Sequence, residues 1–125
     1  DPALSLLIAA IIANGAVRVT REALGILLEF APAHLKPAEV EKTILEQPGV
    51  LGLHHLHLWS LSSQRHALSA HLLVDDRRIS ESDPLLAELR RRLHDRFDID
   101  HATFQLEHQP CNDPGCPIPQ RKENP

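Results

Sequence analysis

Aromatic side chains make up only 3% of these 125 residues, with no tyrosine and a single tryptophan. So few rings cannot build a base-stacking platform. The net charge is −4 with histidine neutral, and no basic stripe interrupts it. Nucleic acid is therefore not an expected partner. There are only two cysteines, Cys111 and Cys116, too few for a disulfide framework, so a reducing compartment is the default. Methionine is absent even at residue 1, which reads as a piece of a longer protein or a processed product. The sequence has no Gly-rich phosphate loop, no His-Glu-x-x-His and no nucleophile elbow. Asp75-Asp76 reads as a strand end, and Ser60, Ser62 and Ser63 belong to a turn that needs no catalytic explanation. No enzyme is expected. The length allows one domain with an appended segment.

What is present begins with an apolar run. Ala3 to Val17 carries no charge, although a spanning helix wants about 18–20 apolar residues. It has no basic start and no small-residue cleavage site, so it is not a secretory signal. Helical periodicity continues through Val17, Ala23, Leu24, Leu27 and Leu28, predicting one long helix from Ala3 to Glu29. Asp1 is placed to cap it and Pro2 to open it. Two readings stay open: a membrane helix, or an amphipathic helix packed on a partner or on itself. Arg18 and Arg21 near its end fit a cytoplasmic exit.

Pro32 and Pro37 mark a linker over 31–36. A second helix follows from Pro37 to Glu46, with an apolar stripe of Val40, Ile44 and Leu45, and Pro48-Gly49 stops it. Val50–Leu61 and Ala67–Asp75 read as the two strands of a hairpin. Ser82 or Asp83 is the expected cap of a third helix running to Phe97, with Pro84 in its first turn. His101 to His108 is the last strand, with Ala102, Phe104 and Leu106 alternating against Thr103, Gln105 and Glu107. Residues 110–125 form an irregular tail. The order after the first helix is α-β-β-α-β, an α+β sandwich of a three-stranded sheet covered by two helices on one side.

Histidine is the residue in excess: nine in all, with His54, His55 and His57 in one strand. Imidazole is the commonest metal ligand near neutral pH. Strict alternation puts His54 on the face of Leu56 and Leu58, and His55, His57 and Trp59 on the other. A hairpin can bring His54 to His71 across the strands, and Glu107 comes from the polar face of the last strand. Two imidazoles and a carboxylate suit zinc, with a fourth position left for water or a partner's side chain. On this reading His55 faces a second protomer and His57 packs beside Trp59. Each histidine alone could equally be a surface or core residue satisfied by a hydrogen bond. Cys111 and Cys116 are separated by four residues. They could bind metal with His101 or His108, form a disulfide, or remain plain thiols. Arg90, Arg91 and Arg92 read as a solvated face.

These residues resemble a known family. Asp1-Pro2-Ala3-Leu4-Ser5-Leu6-Leu7-Ile8-Ala9 and Arg21-Glu22-Ala23-Leu24-Gly25-Ile26-Leu27-Leu28-Glu29 look like the two ends of the sixth, last membrane helix of cation diffusion facilitators. Pro48-Gly49-Val50 through Trp59-Ser60-Leu61, His66 to His71, and Thr103-Phe104-Gln105-Leu106-Glu107 resemble their C-terminal cytoplasmic domain. The His-x-x-His-x-Trp-Ser-Leu block is most similar to zinc, cobalt and cadmium exporters. The resemblance implies a homodimeric, metallochaperone-like (ferredoxin-like) αββαβ domain over 37–109, attached to a membrane helix over 1–30. It implies a zinc site at His54, His71 and Glu107, and a second site for which His101, Cys111 and Cys116 are the nearest matches. The ion would be Zn2+, with Cd2+, Co2+ and Ni2+ as alternatives that these ligands accept. It places the helix in the plasma (inner) membrane, in contact with lipid and an upstream transmembrane domain, and the rest in the cytoplasm. The family holds its transported ion on earlier membrane helices, so this segment is not expected to transport alone. Asn14-Gly15 departs from a lipid-facing span. The rival expectation is a stand-alone domain that buffers or delivers metal.

Overall fold

Asp1 caps the first helix: its Oδ1 accepts a hydrogen bond from the Ala3 amide at 3.0 Å. Pro2 takes the first helical position, where a missing N–H leaves nothing unsatisfied. The computed structural model, which describes residues 1–111 and residue 116, continues this helix (α1) from Pro2 to Leu27. Its end is a Schellman closure. Glu29 turns left-handed at φ 55°, the Phe30 amide bonds back to the Gly25 carbonyl at 2.9 Å, and the Glu29 amide to that of Ile26 at 3.1 Å. The helix therefore stops at Leu27 rather than at the expected Glu29. At about 1.5 Å per residue it is about 39 Å long, and its most apolar stretch has a mean hydropathy of 1.8. None of its residues is buried against the rest of the chain. Length and composition both allow it to cross a membrane.

The linker is held where it meets the sheet. Pro32 is buried, and the Ser60 amide donates to the Phe30 carbonyl at 3.2 Å. Helix α2, Pro37–Leu45, then buries Val40 and Ile44 completely. Strands β1 (Val50–Ser60) and β2 (His66–Val74) pair antiparallel, and β3 (Ile99–Glu107) adds to β2 in parallel, giving the order β1-β2-β3. Helix α3, Ile79–Phe97, makes the crossover. It begins earlier than the expected Ser82 or Asp83. The Glu81 carboxylate accepts the Arg78 amide at 3.1 Å and so caps the helix three residues upstream, which leaves Ser82 buried and Pro84 inside the helix.

Both α2 and α3 lie on one face of the sheet. Val40 and Ile44 meet Leu53, Leu68 and Leu72 from the strands and Leu85, Leu89 and Leu93 from α3 in a single apolar cluster. The fold is thus the expected α+β arrangement, with one sheet face covered and the other carrying polar side chains.

The ladder between β1 and β2 departs from strict alternation. His54 pairs with His71 and His57 with Ser69, so three steps on β1 match two on β2. The extra residue is accommodated by His55 at φ 50°. This is a β-bulge, and it inverts the faces downstream of it. Leu53 pairs with Leu72 on the helix-covered face, and Leu58 pairs with Leu68 on that same face. His54, His57 and Trp59 instead share the open face. The reading that grouped His54 with Leu56 and Leu58 is corrected by this one residue.

A left-handed backbone costs a non-glycine residue about 1–2 kcal/mol, and more when the side chain is β-branched. His55→Gly is therefore expected to raise unfolding stability by up to about that amount, and His55→Val to lower it further below the present value, as read from urea unfolding midpoints.

Candidate metal centre

The open face of the sheet collects His54, His71 and Glu107, one donor residue from each strand. The bulge sets His54 opposite His71, with ring centres 4.9 Å apart. Glu107, on β3, pairs with Leu73 of β2, next but one to His71 on the same face. Its carboxylate reaches both imidazoles: Oε2 lies 2.9 Å from His54 Nε2, and Oε1 lies 2.9 Å from His71 Nδ1. His54 is 6% exposed, while His71 and Glu107 are half-buried, so the cluster is open on one side. His71 Nδ1 is itself buried, and its approach to Glu107 lacks the angle of a hydrogen bond. A buried nitrogen with no hydrogen-bond partner among the described residues costs stability unless something else takes its lone pair. The Glu107 carboxyl feels opposing influences. Burial pushes it up, but the hydrogen bonds from Gln105 (2.7 Å) and His54, with the charge of the two imidazoles, outweigh that and hold it below its ordinary 4.5. It is ionised, and so ready as a ligand, throughout the physiological range.

A second cluster abuts the first. Cys116 Sγ lies 3.3 Å from His54 Nδ1. His54, His55, Cys111 and Cys116 each offer a donor atom, all within 4.8 Å of one another. His54, His71 and Glu107 form a second group by the same measure. Zinc at about 2.0–2.3 Å from nitrogen, oxygen and sulfur ligands spaces a tetrahedral set about 3.4–3.8 Å apart. In both groups the donors lie within 4.8 Å of one another, and both offer the donor types zinc takes. His54 stands in each, turning Nε2 to the carboxylate side and Nδ1 to the thiol side.

His101 does not belong with the cysteines. It lies on the open face but six residues before Glu107 along β3, about 20 Å at ~3.3 Å per residue. There it meets Arg65, whose Nη2 is 3.2 Å from His101 Nε2. His108 lies past the end of β3, lining a cleft with Asp75 and Asp76, outside both groups. The histidine that does join the cysteines is His55. Its ring is 5.0 Å from that of His54 and 5.1 Å from that of His71. His55 is expected from the sequence to face a second protomer; within this chain the bulge sets its exposed ring beside those of His54 and His71. The three-histidine run was the sequence signal, but only the left-handed backbone reveals the direction. His57 lies two residues from Trp59 on the open face and lines a shallow cleft of about 420 Å³ with His55, Ser69 and His71.

Because Glu107 titrates lower when folded, its contribution to stability is complete above its ordinary pKa of 4.5 and is lost as pH falls through the depressed value. In the metal-free chain the thermal midpoint should drop across that acid window. Glu107→Gln should shrink the drop; an unchanged pH profile would remove Glu107 from this account.

Comparison with known proteins places the chain within a family. The family model described as "Cation efflux protein, cytoplasmic domain" matches residues 32–109. The metal cation efflux system protein CzcD of Cupriavidus metallidurans is 39% identical over 111 residues, covering 89% of this chain and 35% of that protein. The zinc transporter ZitB of Escherichia coli is 33% identical over 117 residues, covering 93% and 36%. A cadmium, cobalt and zinc/H(+)-K(+) antiporter of Bacillus velezensis is 35% identical over 108 residues, covering 86% and 34%. The chain therefore spans about a third of the length of these relatives. Among solved structures, the metal-bound C-terminal domain of CzcD from Cupriavidus metallidurans superposes with a TM-score of 0.52 at 44% identity, covering 58% of this chain and 99% of that one.

Proposed function

The chain belongs to the cation efflux (cation diffusion facilitator) family and carries its cytoplasmic domain, and we propose that this domain is the metal-responsive, dimerising part of a zinc-class divalent-cation efflux transporter. The observation that carries the proposal is the contact of Glu107 with both His54 and His71, at 2.9 Å each. Three strands converge on that carboxylate. An ion bound there would replace these two side-chain contacts with bonds to all three ligands.

Zinc is the reading favoured by the mixed nitrogen, oxygen and sulfur donors, with cadmium, cobalt and nickel as ions the same set accepts. Several relatives are named for zinc, cadmium or cobalt. Helix α1 fits the last membrane helix, since it is long, apolar and buries none of its residues against the rest of the chain. On this reading α1 sits in the cell membrane with lipid around it, and the domain lies on the cytoplasmic side. A second copy would pair with this one through the domain, as the family's dimerising role implies.

An ion regulates such a dimer only if it binds one arrangement more tightly than the other. The tail supplies that difference. Cys111 and Cys116 reach His54 and His55 from beyond β3, so loading would tie these two cysteines to β1. The role assigned is binding and coupling rather than catalysis.

Metal ligands must be deprotonated, so acid weakens binding through the histidine range. Calorimetric zinc titration should show affinity falling between neutral pH and about pH 6. His71→Ala, which leaves the fold's core intact, should lower affinity at least about tenfold at neutral pH. Unchanged affinity and stoichiometry in that variant would overturn the site.

A further inference from the structure

The other end of the sheet holds a pair of histidines that the metal centre does not use. His66 opens β2 on the helix-covered face, five residues before His71, about 17 Å at ~3.4 Å per residue. It is 3% exposed, and its Nδ1 is buried with no hydrogen-bond partner among the described residues. His34, in the linker that leaves α1, stacks against it with ring centres 5.1 Å apart and planes tilted by 57°. Both border a cavity of about 300 Å³ in the seam between the end of α1, the linker and the β1–β2 turn. Glu22 of α1 and Ser60 and Ser63 border the same space.

A buried imidazole nitrogen left bare is costly, and apolar packing would remove that cost more simply. Two imidazoles held at about 2.0–2.1 Å from one tetrahedral ion place their ring centres about 5.2 Å apart. The His34–His66 separation matches that value, and it matches the 4.9 Å between His54 and His71. Burial, and then the neighbouring His34, hold the His66 imidazole below the ordinary histidine range, against smaller opposing pulls from Asp98 and Asp100. The ring is therefore neutral at neutral pH, which is the ligand form.

We propose that His34 and His66 form a second, two-imidazole site for a zinc-class divalent cation in the seam where helix α1 meets the sheet. His34 is exposed, so the ion enters from the linker side, and water completes its shell beside the Glu22 carboxylate. With only two protein ligands this site binds more weakly than the centre at His54. Its position gives it a separate effect. The linker is already tied to β1 through Ser60 and Phe30, and an ion between His34 and His66 ties it to β2 as well. Filling the site stiffens the connection between α1 and the domain without touching the tail cysteines.

The test is zinc titration of the full chain in detergent micelles, with the histidine ring nitrogens followed by long-range proton–nitrogen NMR. Zinc is expected to shift the ring-nitrogen signals of His34 and His66 after those of His54 and His71 have saturated. Zinc stoichiometry should fall by one ion per chain in His34→Ala, with the His66 shift abolished. His34 is exposed, so this variant keeps the fold even if His66→Asn does not. In His71→Ala the His34 and His66 shifts should persist, which separates this site from the one on the open face. If His66 gives no shift at saturating zinc, or shifts equally in His34→Ala, the proposal is overturned.

Discussion

The ladder between β1 and β2 carries one residue too many on the β1 side between His54 and His57, and the surplus is absorbed by His55 in a left-handed turn. In a pleated sheet a slip of one residue moves every side chain after it to the opposite face. Without the bulge, a strand that keeps Leu56 and Leu58 in the core would keep His54 there too. The imidazole would then lie under α2 and α3, away from His71 and Glu107. With the bulge, Leu53 lies inside before it and Leu58 after it, while His54 and His57 lie outside. The core and the metal centre are thus satisfied by the same irregularity. Strained backbone of this kind persists where the surroundings over-determine it, and here leucines on both sides of it are packed against the core.

His54 is the second shared element. Its Nε2 serves the carboxylate of Glu107 and its Nδ1 faces the thiol of Cys116. A neutral imidazole carries one proton between two nitrogens. Whichever nitrogen is bare is fixed by what the other one meets, so the carboxylate group and the thiol group cannot be set independently. That is the physical basis for expecting strand-borne and tail-borne ligands to respond together to an ion.

Much of this was legible in the residues. Asp1 and Pro2 announce the start of α1, and Pro48-Gly49 the stop of α2. Period two in Ala102, Phe104 and Leu106 puts Glu107 on the polar face of β3, where the structure has it. The trio His54, His71 and Glu107 converges because antiparallel pairing and a parallel third strand bring their positions to one end of the sheet. The rest depended on register. The direction of His55 follows from a backbone angle that no residue type announces, since histidine enters the left-handed region only occasionally. The placement of His101 required knowing that β3 runs parallel to β2, with His101 beside Ala67 and Glu107 beside Leu73. That separates His101 from the tail by the length of the strand. The early start of α3 turned on Glu81 reaching back to Arg78, a contact that Ser82, Asp83 and Pro84 obscured with their own stronger helix-start signals.

The central claim is that the bulge turns His54 outward so that it, His71 and Glu107 hold one divalent ion. Anomalous diffraction at the zinc edge, from crystals of the zinc-loaded chain, tests it most directly. The expected result is a peak within about 2.0–2.3 Å of donor atoms of all three residues, with His55 still left-handed. A peak bounded by other residues, or His54 turned into the helix-covered face, would contradict it.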